Sequence, residues 1–195
     1  ELPRFGISVS AQINQDIFEN SSVQTLILML KIFSGKENDE DLIKLLHAPH
    51  LKISSRELFE LSHQIRKERK SILEFLHQRF SLGADDDSAL ADFYRYFIES
   101  RKDFYHLRPT IISEKMFYES GLSEFLVLEK NYLDFHNIRT FLDWIRDQNV
   151  TECDQLFEKI DLHQSLQIPL RPTPLPGDTD SIQIMTAHKS KGLEL

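Results

Sequence analysis

The segment "SIQIMTAHKSKGLEL" at 181–195 gathers into one turn the residue types most able to do chemistry. Ile182 and Ile184 alternate with Ser181, Gln183 and Met185, which is the two-residue period of a strand. Thr186 and His188 follow where the chain would leave the sheet edge. Ligands of α/β proteins bind beyond the carboxyl ends of strands. A Thr hydroxyl and a His imidazole can both donate to a phosphate oxygen. Lys189 and Lys191 add positive charge and Gly192 adds backbone freedom. Glu194 would repel phosphate, but its carboxylate can accept hydrogen bonds from a ribose hydroxyl. One short turn thus offers a phosphate-facing side and a sugar-facing residue.

Other chemical readings fail quickly. The eight His are scattered, with no His-Glu-x-x-His and no Cys pair, so no metal ligands are expected. No Gly-x-Ser-x-Gly occurs, and unlinked Ser, His and Asp do not define a triad. "SGKE" at 34–37 lacks the upstream Gly and the following Ser or Thr of a phosphate loop, and reads as a helix-ending turn. "RKERK" at 66–70 is the most basic run; it could touch phosphates, but it reads rather as the solvated C-terminal part of a helix, where cations suit the dipole. "DDD" at 85–87 reads as a solvated loop and helix start rather than a cation site. Cys153 reads as a small, half-buried apolar residue.

The surrounding chain must position the turn. Its 195 residues suffice for one or two domains and a real core. A hydrophobic fraction of 41% with 14 Phe and 6 Gly is globular, not disordered. The formal net charge of −8 argues against a surface built mainly to grip nucleic acid, so any DNA contact must be local. A single cysteine excludes an internal disulfide and fits a reducing compartment. No apolar run reaches the roughly 20 residues of a membrane span, and no signal peptide is visible. A start at Glu1 and a stop within a pointed motif suggest a piece of a larger protein.

Between the ends the signal is helical. "ISVSA" alternates like a strand. "NSSVQTLILMLKIF" places Val23, Leu26, Ile27, Leu30 and Phe33 on one face, capped by Asn20 or Ser21 and ended by Gly35. "NDEDLIKLLHAP" has an acidic first turn, an apolar face of Leu42, Ile43, Leu45 and Leu46, and a stop at Pro49. Ser54 and Glu57 form a capping box for a helix carrying Leu58, Leu61 and Ile65, and a second face follows at Ile72, Phe75, Leu76 and Phe80. Leu90, Phe93, Tyr94, Phe97 and Ile98 mark another helix, and Pro109 opens one that Gly121 closes. Leu133, Ile138, Phe141, Leu142 and Ile145 mark the next, and "TECDQLFEKI" is a last short helix with Thr151 as cap. "PLRPTPLPGDTD" has four Pro and one Gly and reads as an extended return linker. The expected fold is mainly α: a helical block inserted between two short strands that lack partners of their own.

"IQIMTAHKSKGLEL" resembles motif V of the UvrD/Rep-like superfamily 1 DNA helicases, whose pattern is a hydrophobic strand, then Met-Thr-x-His-x-x-Lys-Gly-Leu-Glu and an aromatic. Thr186, His188, Lys191, Gly192, Leu193 and Glu194 match, and Leu195 stands where an aromatic is usual. The stretch from "GISVSAQ" to "LLHAP" is similar to the segment where these helicases leave a RecA-like domain, 2A, for the inserted helical domain 2B, and "KNYLDFHNIRTFLDWI" resembles a late helix of that insertion. The resemblance implies a RecA-like 2A edge at 1–20, a 2B-like helical domain at 21–170, a linker at 171–180, and a 2A strand with motif V at 181–195. It implies that Thr186 and His188 face the backbone of a DNA single strand. Glu194 and Gly192 would lie at the bound nucleotide, and Lys191 would shape the coupling turn between them.

The resemblance further implies an ATP-dependent helicase or translocase of DNA repair or recombination, 3′ to 5′, in the bacterial cytoplasm. ATP and Mg²⁺ would serve the parent protein, and its DNA partners would be single strands and junctions. No phosphate loop, Mg²⁺-binding acidic motif or arginine finger is recognised here, so the chain alone is expected to hold no catalytic residue, bind no cofactor and hydrolyse no ATP. "PHLKISSREL" stands where UvrD-type members often carry an Arg-Gly-Ile-Gly stretch used against duplex DNA. That departure leans towards the RecB/AddA-like branch. It also motivates an alternative: a helical interaction module that docks a nuclease or repair protein without touching DNA.

Overall fold

The computed structural model describes residues 9–11, 16–36, 38–81, 86–104, 106–172 and 182–184. Among them are nine α-helices and two three-residue strands, so the chain is mainly α as expected. No helix among the described residues is long and apolar enough to cross a membrane.

The core is organised around α1, Ser21–Phe33. Its expected face is buried, and so are Ser22, Met29 and Ile32. A helix apolar on nearly all sides must lie inside the fold. Accordingly α1 packs against α2 (Asp39–Leu46), α5 (Ala89–Asp103), α6 (Pro109–Glu119) and α8 (Tyr132–Asp147). Phe33, Phe97, Phe117 and Phe141 are among the largest fully buried side chains. Asn20 caps α1, accepting from the amides of Ser22 and Val23 at 3.1 Å each. Gly35 follows its end at a φ of 89°, where a side chain would be strained.

The remaining helices complete the shell. A 3-10 turn, Pro49–Leu51, leads to α3, Ser55–Glu68, which opens on the Ser54–Glu57 capping box. A second capping box, Ser71–Glu74, opens α4, Ile72–Phe80, so the second apolar face belongs to a separate helix. Pro49 itself begins the 3-10 turn, three residues after α2 has ended. Gly121 closes α6 at a φ of 85°, and the chain turns at once into α7, Leu122–Leu128, a helix that the sequence pattern does not separate from its neighbours. The last helix, α9, is longer than expected and runs Cys153–Ser165. Its N-cap position is Glu152 rather than Thr151, whose amide instead reaches Gln155 Oε1 at 3.1 Å. Ile43, Ile98 and Leu133, expected on buried faces, are 42%, 39% and 51% exposed. Each lies at the edge of a stripe whose centre already fills the available core.

The two strands correct one expectation. β1, Val9–Ala11, and β2, Ile182–Ile184, were expected to lack partners, but they pair with each other in parallel. The register sets Val9 against Ile182, Ser10 against Gln183 and Ala11 against Ile184. Parallel neighbours need a crossover connection of a dozen or more residues. Here the crossover contains all nine α-helices of the described residues. The chain also enters and leaves the helical block at one place: the Ile17 amide donates to the Leu170 carbonyl at 2.8 Å, and the Leu170 amide donates to Asp16 Oδ1 at 3.0 Å.

Candidate functional site

Thr186, His188, Lys191, Gly192 and Glu194 lie outside the described residues, as do Lys189 and Leu195. The described backbone reaches to within two residues of Thr186, at the carboxyl end of β2. β2 runs parallel to β1, so both strands present their carboxyl ends on the same side. That is the edge at which α/β proteins gather ligands.

The described residues that come next to the strands in sequence, from Asp16 on one side and up to Pro172 on the other, form the base of the helical block. A 3-10 turn, Ile17–Glu19, is opened by Asp16, whose Oδ1 accepts from the amide of Phe18 at 3.1 Å and from that of Leu170. Phe18 is buried, with its ring edge-on to Phe141 at 5.9 Å and to Trp144 at 5.4 Å. The Trp144 ring also meets the His163 ring at 5.1 Å. This aromatic plug fixes the point where the chain passes from strand to helices. Beside it opens a polar groove of about 690 Å³ lined by Asp16, Phe18, Glu19, Gln24, Gln164 and Gln167. The Gln24 amide donates to the Phe18 carbonyl across it.

The start of α8 is tied to the same region. Asp134 accepts from Asn20 Nδ2 and from Ser22 Oγ, both at 2.7 Å. The side chain that caps α1 is therefore held by the first turn of α8. These bonds are structural, since each accepting oxygen already faces a donor of the protein itself.

A second concavity lies between α2 and α3, away from the base in sequence. It measures about 510 Å³ and is lined by Leu58 and Phe59, with His47, His63 and Arg66 around them. Leu58 is buried, while Phe59 is 72% exposed. The His47 ring Nδ1 meets the Ile43 carbonyl at 2.8 Å, so that nitrogen carries the proton and Nε2 is left for a ligand.

The stretch Ser34–Lys36 is a turn that ends α1. At Gly35 and Lys36 the amides turn back to the carbonyls of Ile32 and Lys31, and the Lys36 ammonium pairs with Asp154 at 2.8 Å. The amides of Gly35 and Lys36 are thus taken by α1, whose end they mark, as the reading of this stretch as a helix-ending turn expects. Among the described residues no group of three or more His, Cys, Asp or Glu could hold a metal ion. Cys153 is half-buried; burial, helped by Asp154, pushes its thiol up to about 11, so it is an inert thiol at neutral pH. His50 is buried in the turn Pro49–Leu51 with Nε2 unpartnered, and burial pulls its pKa down to about 4.

No protein-family model matches the chain, and no curated protein matches its sequence.

Proposed function

We propose that the chain contributes a helical accessory unit, and the segment that couples nucleotide state to DNA grip, to an ATP-driven DNA helicase or translocase of repair or recombination. The observation that carries this reading is the segment "IQIMTAHKSKGLEL", in which Thr, His, Lys, Gly and Glu follow a strand at the spacing of motif V. Two features support it. The parallel pairing of β1 and β2 across the whole helical block suits an insertion into one edge of a larger RecA-like sheet. A two-stranded sheet is marginal by itself, which also favours further strands beside it. Thr186 and His188 would then hold a single strand's phosphates, Glu194 and Gly192 would lie at the nucleotide, and Lys191 would shape the turn between them. ATP and Mg²⁺ would be held by other parts of that protein.

A second reading, a module that docks a nuclease or repair protein, draws support from the net charge of −8 and from "PHLKISSREL" in place of a glycine-rich duplex contact.

Fluorescence anisotropy with labelled single-stranded and forked DNA, across a salt series, separates the two. Under the first reading the chain binds single strands with a log–log slope of roughly −0.7 per phosphate contacted. The Thr186→Val, His188→Ala double variant then loses most of that affinity while keeping its melting temperature. Under the second, DNA binding is absent from the wild type at high micromolar protein. The purified chain hydrolyses no ATP under either, so turnover that survives repurification would overturn both.

A further inference from the structure

The cleft between α2 and α3 has a composition that the motor reading does not use. Leu58, Phe59, His63 and Arg66 recur at helical spacing along one stripe of α3, with His47 facing them from the end of α2. The stripe from Ser55 to Arg66 is about 16 Å long at 1.5 Å per residue, the length of three helical turns. Its floor is apolar, and the Phe59 ring stands 72% exposed at its edge.

The charges around it are unbalanced in one direction. Between Asn38 and Lys70 every carboxylate is already engaged. Asp39 accepts from the Ile72 amide at 3.1 Å. Glu40 and Asp41 hold Lys44 at 2.8 and 3.7 Å. Glu57 caps Ser54 at 2.8 Å, Glu60 pairs with Arg56 at 2.9 Å, and Glu68 pairs with Lys70 at 2.7 Å. Lys52, Arg66, Lys67 and Arg69 are exposed and have no hydrogen-bond or ion-pair partner among the described residues. The dipole of α3 explains why Arg66, Lys67 and Arg69 sit at its C-terminal end, but it leaves their N–H donors without a partner among the described residues. A chain with a net charge of −8 thus carries an apolar cleft whose one charged lining residue, Arg66, is a cation without a partner among the described residues.

We propose that this cleft docks an acidic amphipathic helix of a partner protein, with its apolar face on Leu58 and Phe59 and a carboxylate on Arg66. This rests on the docking-module reading and names its site and the partner's chemistry. A three-turn stripe with an aromatic anchor is the form in which a groove receives an amphipathic helix. An unpaired guanidinium is the group best matched to a carboxylate in two-point contact. Nucleic acid fits less well: Arg66 is the one permanently charged group lining the cleft, and the floor is apolar rather than phosphate-facing.

Selection of a displayed library of helical peptides on the full chain tests this. The enriched peptides should carry Leu or Phe at helical spacing together with two or more carboxylates. Their binding should weaken about tenfold or more in Phe59→Ser and in Arg66→Glu, as expected for an anchor ring and a charge contact. Exchanging the peptide carboxylates for Lys should restore affinity for Arg66→Glu and abolish it for the wild type. Both substituted side chains are exposed, and an unchanged melting temperature verifies that the fold is kept. Enrichment of neutral or basic peptides, or no enrichment, would overturn the proposal. So would acidic peptides indifferent to both substitutions, although that result would leave docking elsewhere on the block standing. A labelled oligo-dT of twenty nucleotides that binds the wild type and loses affinity in Phe59→Ser would assign the cleft to single strands instead.

Discussion

His50 shows how one side chain can set the acid limit of the fold. It is 5% exposed, its Nε2 has no partner, and burial holds its folded pKa at about 4 against 6.5 for a free imidazole. Between those values the unfolded chain binds a proton that the folded chain refuses. Stability therefore rises with pH through this window and falls as pH drops from about 6.5 towards 4. The full effect is roughly 3 kcal/mol, at about 1.4 kcal/mol for each tenfold change in proton affinity. His50→Leu removes the proton while keeping an apolar side chain of similar bulk. Urea unfolding at pH 7.5, 5.5 and 4.5 should show the wild type losing stability more steeply than the variant, by the slope of one proton. Parallel slopes would mean that His50 is charged or exposed in the folded protein. Nothing in "APHLK" signals this burial, because the turn Pro49–Leu51 points its middle residue inward through tertiary packing rather than through any period.

At the scale of elements, what was legible depended on how each helix ends. The ends of α1 and α6 carry Gly35 and Gly121, and both were readable. α3, α7, α8 and α9 end at or beside Arg69, Lys130, Asn149 and Gln167, all with φ between 50° and 55°. Of these, only Asn149 is of a type that advertises the left-handed shape; Arg69, Lys130 and Gln167 take it unannounced. So α7 and α8 run together in the sequence, and the full extent of α9 is hidden. Beginnings are more legible, because Asn20, Ser54 and Pro109 are chemically marked, and Ser71 and Glu74 of "SILE" mark α4 in the same way. The left-handed positions predict a pair of opposite effects. Gly121→Ala should cost about 1 kcal/mol from backbone strain alone, since the added Cβ would meet only the His50 carbonyl oxygen, at an ordinary 3.8 Å. Lys130→Gly should relieve a similar strain and gain up to about 1 kcal/mol, reduced by the larger entropy of the unfolded chain. Thermal melts of the two variants should shift in opposite directions. A shared direction would show that tertiary contacts, not backbone shape, govern these corners.

At the scale of the molecule, the contacts that close the helical block lie within the block. The Ile17–Leu170 bond, the Asp16 link to Leu170 and the Asp134 link to Asn20 and Ser22 join residues more than 100 positions apart. Long-range pairings of this kind leave no local trace, and for the same reason the parallel partnership of β1 and β2 was not foreseen: no turn chemistry announces a parallel pair. The candidate site is legible as a string of residue types, while the described residues reach it only at one strand end. Among the described residues, the closing contacts named above lie at or after Asp16 and at or before Leu170, which has a consequence. Residues 16–172 should fold alone, because α1 is wrapped by partners from within that span and the strands add only a short ladder. The excised unit should unfold in one cooperative urea transition. Its midpoint should lie close to that of the whole chain, and its slope slightly lower in proportion to the surface removed. In Asp16→Ala the base loses its shared acceptor, and hydrogen exchange at the Phe18 and Leu170 amides should quicken well before exchange in α1. A broad, non-cooperative transition of the excised unit would instead mean that the strand pair organises the helices, rather than the helices bringing the strands together.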